Sequence, residues 1–259
     1  ILRPPRVTLF PYTTLFRSEQ AVKVGFRKWV KKRIIGILIF YALLSCSGTF
    51  NDVWHLTFVG VTALSIVFQF ALVDTDALAF RDDVGSGTAD FDRIFSPLTI
   101  LTGFCEVIIS GIESQMRLPS FLRSSVFTFA SRADYNPALP TPARVAAAVG
   151  MAILGIIWAV AMRANRNFTR TVSIQGPQHR VCQRGPYSLI RHPGYACLFV
   201  GVWLYPVIIG SKVGLVFSAI LEVIIIIRTE LEDRFLSRCL DGYKEYSNRV
   251  RSKVIPGVW

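Results

Sequence analysis

Charge is scarce in this sequence. Of its 259 residues, 18% are charged against 52% hydrophobic, whereas ordinary soluble domains carry roughly a quarter charged residues. The shortage is one-sided: 17 acids face 29 Lys and Arg, a formal +12. The apolar content excludes intrinsic disorder and collagen-like structure. A basic excess on so apolar a chain points to an anionic bilayer surface, not to nucleic acid. Histidine is rarer still, with only His55, His179 and His192. H-E-x-x-H and paired Cys/His spacings are absent, which argues against any zinc site. The five cysteines, Cys46, Cys105, Cys182, Cys197 and Cys239, are odd in number and form no C-x-x-C pair. That excludes a disulfide-stapled secreted framework and fits small apolar fillers in a reducing setting. There is no internal repeat, no low-complexity linker, and no segment near the start ordered like a signal peptide.

Residues 1–20 stand apart. Thr8 to Ser18 reads TLFPYTTLFRS, which looks like an in-frame translation of a sequencing-library adapter. This start is set aside from fold reasoning and expected to be disordered, so that the native N-terminus is missing or lies near Ala21.

What is abundant is long apolar runs. Ile34–Phe50, Val53–Val73, Ile94–Ile112, Val145–Met162, Tyr195–Ser211 and Val213–Ile227 each approach the ~20 apolar residues a helix needs to cross a bilayer. The first two are joined by Asn51 and Asp52 and predict an antiparallel hairpin. The third is interrupted by Pro97, Gly103 and Glu106. The fourth is rich in Ala and Gly, the small residues that let membrane helices approach closely. Gly210, Ser211 and Lys212 separate the last two and predict a tight helical hairpin. Gly85–Thr88 and Asn136–Pro142 read as loops. The expected fold is all-α: a polytopic transmembrane helical bundle of about six spans.

Orientation follows from the flanking basic residues. Lys23, Arg27, Lys28, Lys31, Lys32 and Arg33 precede the first run, and Arg163, Arg166, Arg170, Arg180, Arg184 and Arg191 precede the fifth. Both segments are expected to face the cytoplasm, and six crossings put the tail after Arg228 there too. Arg117, Arg123, Arg132 and Arg144 oppose this by falling in a far-side loop. That conflict leaves open a re-entrant third run, or a stretch Ser114–Ala130 lying along the interface.

The chemistry lies after Asn165. Asn167–Tyr195 packs Arg, His, Tyr, Gly and Pro into a segment too polar for lipid, with Gly185 and His192 biased toward extended backbone by the prolines that follow them. Beyond the hairpin, Arg228 and Glu232 are four residues apart and share a helix face. A turn between Tyr195 and Arg228 folds the two stretches together into a pocket at the membrane surface, suited to an amphipathic substrate with a lipid tail. Glu222, inside the sixth run, is read as a structural hydrogen-bonding acid.

The spacing H-x5-G-x-Y-x3-R-H-P-x-Y, at His179, Gly185, Tyr187, Arg191, His192, Pro193 and Tyr195, is followed by R-x3-E-[ED]-x2-L at Arg228, Glu232, Asp233 and Leu236, then GYKEY and VIPGVW. Together these resemble the membrane-embedded isoprenylcysteine carboxyl methyltransferase family, related to phospholipid methyltransferases, over roughly Asn165–Trp259. The resemblance implies use of S-adenosyl-L-methionine without a Rossmann domain. It implies a cytosolic-face cofactor pocket formed by the interfacial loop and the C-terminal helix. By position, Gln175, His179, Arg180, Val181, Cys182, Tyr187, His192, Pro193, Gly194, Tyr195 and Glu232 would hold the cofactor. Arg228 and Arg191 would meet the substrate, and Arg228 and Glu232 would be catalytic. It divides the chain into N-terminal helices at 21–162 and a catalytic region at 163–259. The partners implied are a membrane and a lipid or prenylated substrate entering from the bilayer, with no nucleic acid. Its location is an endoplasmic reticulum membrane in a eukaryote. A carboxylate nucleophile would be oriented by Arg228 as a bidentate pair; an amine or phenol would need Glu232 or His192 as base. An NADPH-dependent sterol-type reductase and a non-catalytic transporter or scaffold are the alternatives.

Overall fold

The computed structural model describes residues 19–45, 53–81, 88–115, 139–174 and 179–259. Within them the protein is helical: α1 Glu19–Ser45, α2 Val53–Leu72, α3 Thr75–Phe80, α4 Asp92–Gln115, α5 Thr141–Ala164, α6 Pro193–Ile209, α7 Lys212–Cys239 and α8 Tyr243–Arg249, with a 3₁₀ turn at Gly185–Ser188. No strand occurs among the described residues; one isolated antiparallel bridge joins Thr88 and Ser173.

Within the described residues all six apolar runs lie on helices, with 46–52 outside those residues, and the six helices alternate in direction. Phe26 of α1 packs on Phe70 of α2 at one end and Phe40 on Phe58 at the other, so the first pair is antiparallel. Asp92 opens α4 beside Arg228 of α7, while Glu113 near its close accepts hydrogen bonds from Ser211 Oγ and the amides of Lys212 and Val213. α4 and α7 therefore run antiparallel, with Glu113 capping the first turn of α7. At the same far end, Arg144 of α5 donates from Nε to Ile208 O (2.8 Å) and from Nη2 to Ile209 O (2.6 Å), with its guanidinium over the Trp54 ring. Its charge answers the carbonyls at the C-terminus of α6. Arg144 is thus buried and structural, not a solvated loop charge that could steer topology.

The hairpin of α6 and α7 forms as the sequence predicts. Pro193 occupies the first turn of α6, where its missing N–H costs nothing. Gly210 ends the helix at φ +84°, a left-handed conformation that glycine adopts freely, and the Ser211 side chain accepts from Gly214 N. The small residues of α5 serve close approach: a methyl at Gly155 would collide with Ser65 of α2.

By length and composition, Val53–Leu72, Asp92–Gly111 and Thr141–Ala164 suffice to cross a membrane, and α6 is a shorter apolar helix. Leu38, Val67, Ile94, Val149 and Val216 are exposed around the bundle, which a lipid environment would cover.

Four expectations change. α1 begins at Glu19, so the basic run Lys23–Arg33 is helical and the last two residues of the excluded start are ordered; 1–18 lie outside the described residues. The third run, interrupted in sequence by Pro97, Gly103 and Glu106, is one continuous helix. Gly185 is not extended but has φ +58°, because without a Cβ it escapes the clash that restrains other residues before proline. Thr141 and Pro142, read as loop, open α5. Arg117, Arg123, Arg132, nearly all of Ser114–Ala130 and most of the two predicted loops fall outside the described residues.

Candidate active site

A cavity of about 260 Å³ opens where the loop before α6 meets the second half of α7, room for roughly nine water molecules at ~30 Å³ each. His179, Arg180, Val181, Cys182 and Tyr187 line it from the loop. Arg191, His192, Pro193, Gly194 and Tyr195 line it from the start of α6, and Arg228 and Glu232 from α7. The structure therefore brings these twelve predicted residues around one space. Gln175 lies outside the described residues. Glu222 is buried on α7 with the Trp203 indole of α6 as a polar neighbour, and it is not part of the cavity wall.

The loop is held by its own polar groups and by the C-terminal tail. The amides of Arg191 and His192 donate to Ser252 O and Lys253 O, so the tail pairs with the residues that start α6. Asp233 is the hub. Its Oδ1 accepts from Arg191 Nε (2.8 Å) and Tyr243 Oη (2.8 Å) and lies 3.0 Å from His192 Nε2; its Oδ2 accepts from Arg191 Nη2 (2.9 Å). Burial alone would raise the Asp233 pKa, but the hydrogen bonds from His192, Arg191 and Tyr243 outweigh it and hold the carboxyl well below the usual range. Arg191 also donates to Val250 O and Arg251 O. Its guanidinium is therefore engaged by Asp233 and the tail. His192 is the N-cap residue of α6, yet its side chain makes no capping bond and turns to Asp233 instead.

Next to this hub, Glu232 faces the cavity. Its Oε2 accepts from Tyr195 Oη (2.7 Å), and His192 Nδ1 lies 3.9 Å from Oε1. Among the described wall residues Glu232 is the carboxylate, set against the arginines Arg81, Arg170, Arg180, Arg191 and Arg228 and the imidazoles of His179 and His192. The Tyr195 ring lies 5.6 Å from the Arg228 guanidinium. Trp158 and Phe168, which also line the cavity, pack edge to face, with Phe168 against Gly194. Cys182 donates its thiol to Ala164 O, and burial raises its pKa, so it sits as an inert thiol. Burial likewise raises the Tyr187 phenol.

Arg228 and Glu232 share a helix face, but they are not each other's partners. Arg228 forms a fork with Asp92, which is completely buried at the first residue of α4. Asp92 went unnoticed in the sequence because it is 136 positions away and sits in no motif. Asp233 was visible only as a motif position, and Tyr243 only as part of GYKEY.

Residues 146–238, from the second turn of α5 to nearly the end of α7, match the family model described as the isoprenylcysteine carboxyl methyltransferase (ICMT) family. This region is similar to the isoprenylcysteine carboxyl methyltransferase family. No curated protein matches the chain. The family match, joined to helices apolar enough for a bilayer, supports a membrane methyltransferase. Arg81, which lines the cavity, and Asp92, which pairs with Arg228, both lie before the matched region, so the site draws on residues outside it.

One pH response follows from the loop. His179 is partly buried, and that burial holds its pKa below the ordinary histidine value, so folding favours the neutral ring. As pH falls, the unfolded chain protonates first. The contribution is therefore full above about pH 6.5 and declines from there toward the lower folded value. Thermal unfolding in detergent is expected to show that acid-side decline, and His179→Gln should flatten it. An identical pH slope in the variant would show that another group is responsible.

Proposed function

We propose that the protein transfers a methyl group from S-adenosyl-L-methionine to a lipid-linked acceptor, most simply the carboxylate of a prenylated cysteine. The observation that carries this reading is one acid, Glu232, set among aromatic and basic walls in the cavity that the two motif segments enclose. The donor set fits the cofactor. Glu232 and the Tyr195 ring offer a carboxylate and a π-face to a sulfonium, the arginines offer charge to carboxylates, and Trp158, Phe168 and Tyr187 supply flat surfaces for a nucleobase. When bound, the sulfonium supplies an electrophilic methyl: the acceptor's lone pair takes the carbon as the carbon–sulfur pair returns to sulfur, turning an anion and a cation into two neutral products with no proton to remove.

The chain's task is then alignment and exclusion of water. Asp233 and the tail carbonyls fix Arg191 and His192, and through them the start of α6. Tyr195, in the first turn of α6, fixes Glu232. Leu198, Leu236 and Leu240 line the cavity beside the apolar rings and suit the first units of an apolar tail. In this reading all six long helices span the bilayer, 21–162 forms the helical support and 163–259 carries the chemistry. The cavity end faces the cytoplasm, with an endoplasmic reticulum membrane as the location in a eukaryote.

Saturating S-adenosylhomocysteine is expected to raise the unfolding temperature of the purified protein by several degrees, since ligand at a hundred times Kd contributes about 2.7 kcal/mol. NADPH should not. Membranes containing the protein should label farnesylcysteine from methyl-labelled S-adenosylmethionine. A shift with NADPH alone would favour the reductase reading instead, and a shift with neither ligand would favour the non-catalytic one.

A further inference from the structure

We infer that Asp92 is a positioning residue that lets Arg228 hold the acceptor carboxylate through one oxygen only, leaving the other free to attack. This rests on the methyltransferase reading above.

The argument is a count of donors. A guanidinium has five N–H groups in a fixed plane. In Arg228, Nε donates to Asp92 Oδ1 (2.7 Å), while Nη2 donates to Asp92 Oδ2 (3.2 Å) and to Arg170 O (2.8 Å). Both two-nitrogen edges that could grip a carboxylate as a fork use Nη2, and Nη2 is committed. Nη1 is the corner left for the cavity that Arg228 lines.

Asp92 is not poised to leave. It is 0% exposed. Its Oδ2 also accepts from Val172 N (2.7 Å), its amide donates to Ala89 O, and Ala89 N donates to Val172 O. With the Thr88–Ser173 bridge, this stitches the segment before α4 to the loop after α5. Freeing the Arg228 fork would mean opening that seam and burying an unpaired charge.

Single-point anchoring has a chemical consequence. A forked carboxylate has both oxygens hydrogen-bonded in the plane, which lowers the electron density each can offer. Held at Nη1 through one oxygen, it keeps the second as a nucleophile. Removing Asp92 would open the fork, so the acceptor would bind at least as tightly and react more slowly.

The test uses the full chain in detergent or nanodiscs. For Asp92→Ala the expected result is a fall in kcat of about tenfold or more. The KM for farnesylcysteine should stay level or fall, as should its Kd measured by equilibrium binding with S-adenosylhomocysteine present. Asp92→Asn, which keeps the side-chain volume, should show the same split more weakly. In an Arg228→Ala background, Asp92→Ala should cost nothing further, because Asp92 acts through Arg228. A raised farnesylcysteine Kd, an unchanged kcat, or additive losses in the double variant would each overturn the inference. So would loss of stabilisation by S-adenosylhomocysteine in both Asp92 variants, which would make Asp92 structural. Should the wild-type chain fail to methylate farnesylcysteine, the functional reading fails instead, before any variant is compared.

Discussion

Asp233→Asn is expected to destabilise the protein by about 3–5 kcal/mol, the cost of breaking a buried ion pair from one side. The reason is the company Asp233 keeps. Arg191 and Asp233 are both buried, with side-chain exposures of 7% and 11%, and Tyr243 and His192 share the same carboxylate. Asparagine keeps the shape but removes the charge, and its amide would point an N–H at one of four groups that already approach as donors. The buried Arg191 cation would be left with only the tail carbonyls of Val250 and Arg251. Unfolding in detergent should therefore occur at a markedly lower temperature, and amide exchange should quicken in 243–254, where α8 and the tail lean on the hub. Replacing the pair together, Arg191→Met with Asp233→Leu, should recover part of the lost stability while still disordering the start of α6. The Asp233 contribution should not vary between about pH 5 and 8. Its folded pKa is depressed, so the stability is present above the ordinary carboxylate value and is lost only as pH falls through the lower folded one. A variant that unfolds within a degree of wild type would show that the tail and not the ion pair holds the loop.

The same hub shows what a sequence can and cannot disclose. Apolar runs report burial or lipid contact directly, so among the described residues each of the six falls on a helix. The turn at Gly210 and Ser211 is legible because glycine's left-handed backbone and serine's capping oxygen are local chemistry. Motif spacing placed His192, Tyr195, Arg228 and Glu232 around one space because a helical hairpin leaves little choice about where its two ends meet. Pairings across the chain have no such local signature. Asp92 reads as an ordinary acid before an apolar run, and nothing in its neighbourhood names Arg228 as its partner. Arg144 reads as a loop charge until the open carbonyls of α6 are seen to reach it. The basic stretch before the first apolar run reads only as an orientation signal, yet Lys and Arg are good helix formers and α1 runs through them. Charge counted along a chain thus says how many partners are needed, and only the packed structure says which.

Glu232→Gln separates attraction to charge from simple contact. A unit charge about 4 Å from a carboxylate interacts by ~1 kcal/mol in water and ~4 kcal/mol at an effective dielectric constant of 20. Glu232 is about a fifth exposed, so the value lies between these limits, near 2 kcal/mol, or about 30-fold in affinity. S-adenosylmethionine carries a sulfonium and S-adenosylhomocysteine a neutral thioether, so the two probe the same cavity with and without that charge. The variant is expected to bind S-adenosylmethionine about 30-fold more weakly and S-adenosylhomocysteine far less so, as read by isothermal titration or competition. Its thermal stability should stay close to wild type, because the glutamine oxygen can still accept from Tyr195 Oη. Turnover at saturating cofactor should fall as well if Glu232 holds the sulfonium in line with the acceptor, since an electrostatic contact that strengthens alignment acts on kcat as well as on binding. An equal loss for both ligands would place Glu232 on a part of the cofactor common to both, such as the ribose or the amino-acid moiety. No loss for either would remove Glu232 from the cofactor's side of the cavity and leave it as a candidate base toward the acceptor, the role an amine substrate would require.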